Sequence, residues 1–364
     1  MFEIIPQFFN RNGNDDVSLR ELLYSNEAIK NNTGTWNLNK VKREFANRFF
    51  ETQWGFLWRP HEIDMSQDAS QFSQLDPKLQ HVIGTILSFL QYIESCVAEN
   101  LVQVKLVTND YEIKRALSIH ELVEAGIHTE SYQAILKALY GEDDKKINEV
   151  YYRFKDFAPL AKRNEIIAKP FQELRELVWG GLLHANEKKF KRAVFKGMLQ
   201  SFFIEGEVFY TGFTLFHFME VEHNILSGSN RNIVLIRRDE ELHVPLFANI
   251  ISTFKLEYPE FYDEELIYEM AEQTAKADIE FYVETYGDTI PGLTSREVEL
   301  YIKYLIDKRL KLLGLKPLFD VDKNPFEHIE LVAMGSETKK ASFMETGNTD
   351  YQHVSANWEE IYNI

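Results

Sequence analysis

The chain has 364 residues, 45% hydrophobic and 27% charged, a globular balance that excludes a mostly disordered polymer and allows a sizeable buried core. With 17 Gly and 10 Pro it is no fibrous or low-complexity chain, and a net charge of −17 argues against nucleic acid or an anionic membrane as the main partner. A single cysteine, Cys96, excludes an intramolecular disulfide and any cysteine-built zinc or iron–sulfur site. The opening segment, MFEIIPQFFNRNGNDD, has no basic region followed by an apolar stretch, and no window holds eighteen apolar residues. The expectation is a soluble, cytoplasmic protein with no membrane-spanning helix.

Helical periodicity dominates the chain. The first long helix opens at Asp76-Pro77, an N-cap followed by proline at the first helical position, and is predicted to run to about residue 107. A second spans about 111–140 and stops at Gly141. Pro170 opens a third near 172–183, and 187–222 reads as a fourth. Ser227-Gly-Ser-Asn230 breaks the chain before a fifth, about 231–254. Two more follow at 263–286 and 294–313, the last with a capping box, Thr294-Ser-Arg-Glu297, and with Gly314 and Pro317 just beyond it. Strand signals are nearly absent, so the expected class is all-α, a large bundle of long helices. Composition shifts after Asn324-Pro325, which divides the chain into a helical domain, 1–331, and a flexible tail, 332–364. The tail carries Phe343, Tyr351, Trp358 and Tyr362, aromatics that suit partner binding.

Four segments place charge where it is costly. Glu94 sits in the apolar run Ile86-Leu-Ser-Phe-Leu-Gln-Tyr-Ile-Glu94, and Glu205 in Ser201-Phe-Phe-Ile-Glu205. Glu240 and His243 are three apart and Glu124 and His128 four apart, so each pair shares a helix face. The chain order is a lone Glu, a Glu/His pair, a lone Glu, then a second pair. That is the dimetal carboxylate arrangement of helical bundles. Four carboxylates balance two divalent ions, and oxygen with imidazole donors suits iron or manganese. Glu220-x-x-His223 and Asp350-x-x-His353 have the same spacing but lie at a helix end and in the tail, and read as solvated pairs. Buried residues in ordinary salt bridges are the competing account of any single member of the set. Tyr132 lies one turn beyond His128 on the same face, where a metal pair that activates oxygen can oxidise its ring. Phe209, Phe213 and Ile236 are candidates for a dry pocket around it.

These residues, with Leu57-Trp-Arg-Pro-His-Glu-Ile-Asp64, Tyr92-Ile-Glu94-Ser, Ile127-His-Thr-Glu-Ser-Tyr132, Glu205-Gly-Glu-Val-Phe-Tyr-Thr-Gly-Phe213, Arg238-Asp-Glu-Glu-Leu-His243, Gly314-Leu-Lys-Pro317, Asn324-Pro-Phe326 and the tail segment Phe343 to Tyr351, resemble the small, radical-generating subunit of class I ribonucleotide reductase. The resemblance runs from about residue 50 to the C-terminus. It implies a ferritin-like helical bundle with a dimetal carboxylate site in its core, holding Fe/Fe, Mn/Fe or Mn/Mn. Glu94, His128, Glu205, Glu240 and His243 would be metal ligands. Tyr132 would carry the radical, unless the metal pair itself stores the oxidant. Trp58 and Asp239 would form a relay from His128, and Tyr351 would pass the radical to the large catalytic subunit, on which the C-terminal tail docks. The family works as a homodimer and reduces ribonucleoside diphosphates to deoxyribonucleotides.

One departure from the family pattern stands out. It puts a glutamate three before the first histidine, where this chain has Ala125; Glu124 is four before, as though Gly126 were inserted. A π-bulge absorbs one inserted residue, and Glu124 then reaches the metal; Glu121 is the weaker candidate. The position of Glu94 is an aspartate in many relatives. A ferritin-like metal-storage protein, or a dimetal oxidase acting on a small ligand, would explain the ligands but not Tyr132, Tyr351 or a docking tail.

Overall fold

The computed structural model describes residues 5–180, 187–287 and 289–344, with side chains up to residue 335. Short helices come first: α1 (Asn26–Asn31), capped by Ser25, α2 (Glu44–Gly55) and α3 (Asp68–Ser73). Asp76 then accepts the amide of Lys78, Pro77 takes the first helical position, and α4 (Pro77–Val107) follows. Asp110 caps α5 (Tyr111–Leu122), which passes without a break through a π-helical segment, Val123–His128, into α6 (Thr129–Tyr140). Gly141, at φ 70°, ends α6 in a conformation that favours glycine.

Next come α7 (Asp144–Tyr151), α8 (Ala158–Trp179) and α9 (Glu187–Phe203). A second π-helical segment, Ile204–Val208, joins α9 to α10 (Phe209–His223). The chain continues through α11 (Ser227–Glu257), α12 (Glu264–Tyr286), α13 (Ser295–Leu312) and α14 (Glu327–Met344). Among the described residues there is no strand, only an isolated bridge between Leu23 and Thr108.

The all-α expectation stands, with two local corrections. Pro170 does not open a helix; it lies inside α8. Its missing amide is tolerated because Ile167, Phe171, Leu174 and Leu177 are buried on both sides of it, on a helix that packs against α4 and α9. Ser227-Gly-Ser-Asn230 is not a break but the first turn of α11. Asp68, from α3, caps it in trans, taking the Ser229 amide and hydroxyl at 2.6 Å each and the Gly228 amide at 3.3 Å. The expected boundary at 331 falls within α14, and residues from 345 lie outside the described ones.

The core forms where α4 lies against α5, α6, α8 and α9 while α11 lies against α2, α9 and α10. At about 1.5 Å per residue α4 is about 46 Å long. By length and composition it is apolar enough to cross a membrane, contrary to the sequence expectation, but 78% of its most apolar window is buried in the bundle. It is the central helix of the core. Arg163 of α8 lies over the Phe89 ring of α4 at 3.6 Å and bonds Asp278 of α12 at 2.6 Å, both charges fully buried. The lone carboxylates and Glu/His pairs all point into this interior.

Candidate metal centre

Glu94 comes from α4, Glu124 and His128 from the first π-helical segment, Glu205 from the second, and Glu240 and His243 from α11. All six are fully buried. The inserted Gly126 is accommodated as a π-helical turn, which keeps both Glu124 and His128 facing inward. The widened turn is secured locally: the Thr129 amide and hydroxyl both bond the Glu124 carbonyl, the hydroxyl at 2.9 Å. In the second segment Arg309 of α13 donates Nε–H to the Gly206 carbonyl at 2.8 Å. Glu121 turns away and pairs with Lys105 at a part-exposed site.

Two groups result. Glu94, Glu124, His128 and Glu240 form one, and His120, Glu124, Glu205 and His243 the other; in each, one donor atom per residue lies within 4.8 Å of all the rest. Nδ1 of His128 is 3.6 Å from Glu94, 3.5 Å from Glu124 and 3.3 Å from Glu240. Nδ1 of His243 is 3.1 Å from Glu124 and 2.9 Å from both Glu205 and Glu240. Glu240 turns Oε1 to His128 and Oε2 to His243, and Glu124 Oε1 faces both, so these two carboxylates span the groups.

The donor set fits metal ions. Both oxygens of Glu94 and Glu124, Glu205 Oε1, Glu240 Oε1 and His128 Nδ1 are buried with no hydrogen-bond partner among the described residues. Each such group carries a desolvation cost of about 1–3 kcal/mol or more when left unpaired, and two divalent cations would satisfy them together. Burial and the neighbouring Glu124 hold the Glu94 carboxyl well above the usual range. Burial, then Glu124, Glu205 and Glu94, do the same to Glu240. Burial also works against ionised Glu205, but His120 and His243 outweigh it and bring its pKa down to about 2. Carboxylates with such divergent proton affinities in one buried cavity point to a functional site.

Tyr132 is fully buried, its hydroxyl has no hydrogen-bond partner among the described residues, and burial followed by Glu94 and Glu240 pushes its pKa well up. Phe209, Phe213 and Ile236 are buried in the same apolar core. Trp58 donates Nε1–H to Asp239 Oδ2 at 2.8 Å, and that oxygen lies 3.3 Å from His128 Nε2, so the three side chains form a continuous chain out from the first group. Tyr351 lies outside the described residues, as do Asp350, His353, Trp358 and Tyr362. His223 is exposed, and Glu220 bonds Asn230, away from both groups. The sequence reading missed His120. The available signal was its position four before Glu124, on one helix face with it.

A model of the ribonucleotide reductase small chain matches residues 35–325. A ribonucleoside-diphosphate reductase subunit beta from Treponema pallidum is 27% identical over 358 residues, covering 97% of this chain and 96% of its own length. The ribonucleotide reductase R2 subunit from Clostridium botulinum matches with a TM-score of 0.80 at 26% identity, over 92% of this chain and 99% of its own. A dimanganese(II) NrdF from Streptococcus sanguinis shares the fold, with a TM-score of 0.67 at 20% identity over 82% of this chain and 99% of its own. A ferritin-like bundle with two carboxylate–histidine groups in its core, matched over four-fifths of its length, makes this chain a member of the ribonucleotide reductase small-chain family, the radical-generating subunit of that enzyme.

Proposed function

We propose that Glu94, Glu124, His128, Glu205, Glu240 and His243 hold two divalent ions, iron or manganese, and that Tyr132 is the residue they oxidise. The supporting observation is the convergence of two unsatisfied carboxylate–imidazole groups beside a buried, unpartnered tyrosine. When bound, the ions supply oxygen activation, which provides the one-electron oxidation of the Tyr132 ring. The protein's part is to shield that ring: fully buried, and with no hydrogen-bond partner at its hydroxyl among the described residues, an oxidised Tyr132 is protected from quenching. Asp239 accepts the Trp58 Nε1–H and faces His128 Nε2, which orients the imidazole and links the cavity to a partly buried indole.

Through that chain and Tyr351 the oxidising equivalent reaches the large catalytic subunit, which reduces ribonucleoside diphosphates. The C-terminal tail, 332–364, with Trp358 and Tyr362 near its end, docks there, and the subunit works as a cytoplasmic homodimer. The test is electron paramagnetic resonance of metal-free protein loaded anaerobically with Fe(II), Mn(II) or both, then exposed to oxygen. A sharp tyrosyl signal near g of about 2, lost in Tyr132→Phe, is expected. No oxygen-dependent signal with any metal would overturn the reading. Deleting the last fifteen or so residues should abolish nucleotide reduction while leaving metal content intact. A storage protein or a free-standing oxidase would be indifferent to that deletion.

A further inference from the structure

His120 points into the same cavity from α5, one turn before Glu124, and is fully buried. Its Nε2 lies 3.3 Å from Glu124 Oε1 and 3.2 Å from Glu205 Oε1. Its ring lies against His243, with centroids 3.7 Å apart and planes inclined by 32°, and is bounded by Phe49 at 6.1 Å and Phe247 at 5.8 Å. Yet neither ring nitrogen makes a hydrogen bond among the described residues. Nitrogen and oxygen atoms this close, but not aimed at one another, are what results when several donors converge on a shared point between them. A structural histidine buried this deeply would instead spend at least one nitrogen on a partner.

We infer that His120 is a seventh metal ligand, and that it makes the two positions unequal. The inference rests on the metal-centre reading above. The position formed by His120, Glu124, Glu205 and His243 has two imidazoles; that formed by Glu94, Glu124, His128 and Glu240 has one. A neutral imidazole adds a donor without adding charge, so four carboxylates still balance two divalent ions. Nitrogen donors raise affinity for later first-row divalent metals more than carboxylates do, and oxygen-rich positions suit manganese and earlier ions. The position with His120 therefore fills first, holds its ion more tightly, and favours iron over manganese more strongly than the position beside Tyr132.

The experiment is a titration of metal-free full-length protein with Mn(II), followed by electron paramagnetic resonance, on wild type, His120→Ala and His120→Gln. The wild type should take up one tight equivalent as an isolated ion before a second, weaker equivalent couples to it. In both variants the tight step should weaken by roughly 100-fold or more, since even groups outside the ligand shell are worth 10–100-fold. The weaker step should persist. As a readout that needs no variant, spin-echo modulation of the first Mn(II) equivalent in protein labelled with 15N-histidine should show two coupled imidazoles. One coupled imidazole, or variants with both steps unchanged, overturns the inference while leaving the six-ligand reading intact. A wild type that binds no Mn(II) or Fe(II) overturns both.

Discussion

Gly206 is the residue after Glu205, within the second π-helical segment, and the structure says why it has no side chain. A Cβ there would lie 2.6 Å from Arg309 Nε, 2.9 Å from its Cδ and 3.0 Å from its Cγ. Arg309 is 3% exposed, and its Nε–H bonds the Gly206 carbonyl. Gly206→Ala must therefore displace a buried arginine. Loss of that charged hydrogen bond costs about 1–3 kcal/mol, and overpacking adds about 1–3 kcal/mol. Alanine's better helix propensity returns about 1 kcal/mol. The net expectation is about 3 kcal/mol of destabilisation, within a range of about 1–5. Urea unfolding of the metal-free protein measures it, and Mn(II) affinity reports whether Glu205 has moved.

The decisive form is a double-mutant cycle with Arg309→Ala. With the arginine gone the three nearest contacts of the added methyl disappear, so Gly206→Ala should cost less than about 1 kcal/mol in that background, for a coupling of about 2 kcal/mol or more. Equal costs with and without Arg309 would refute the reasoning, because the glycine would then be answering some other constraint.

Three further predictions follow from the same geometry. Asp239→Asn replaces a carboxylate facing His128 with a weakly basic amide; nucleotide reduction with the large subunit should fall by roughly 100-fold or more, with metal content unchanged, and metal loss instead would make Asp239 part of the site's assembly. Burial and the neighbouring Arg237 hold the His217 pKa down to about 3, against the opposing pull of its contact with Asn230 Oδ1 (Nδ1 at 2.7 Å) and of the Glu330 charge. The unfolded chain takes up that proton near pH 6.5 and the folded one does not, so stability is lost as pH falls below about 6.5, by about 1.4 kcal/mol at about pH 5.5. Urea midpoints at two pH values should show that loss shrinking by this amount in His217→Gln; an unchanged pH dependence counts against it. Arg163→Met leaves Asp278 buried without its cation, beside Glu207, and should cost about 3–5 kcal/mol by urea denaturation; a cost under about 1 kcal/mol would mean that Asp278 is held neutral in the folded protein.

The sequence by itself determined the helices whose ends carry their own chemistry. Asp76-Pro77 opens α4, Gly141 ends α6 and the Thr294–Glu297 box opens α13, because caps act through hydrogen bonds within a few residues. It also marked Glu94, Glu205 and the two Glu/His pairs, since a charge in an apolar helix is costly wherever that helix packs. The extra Gly126 even announced the π-turn that keeps Glu124 in the cavity.

Tertiary structure decided the rest. Ser227-Gly-Ser-Asn230 begins a helix only because Asp68, some 160 residues earlier, supplies the cap. Pro170 remains inside α8 because flanking side chains are buried against α4 and α9. α2 (Glu44–Gly55) and α7 (Asp144–Tyr151), too short and polar to read locally, form against the larger bundle. His120 gains its meaning from Glu205 and His243, 85 and 123 residues away, and Gly206 from Arg309, 103 residues away. Local sequence can show that a group is costly to bury; only the folded chain shows which distant groups meet it.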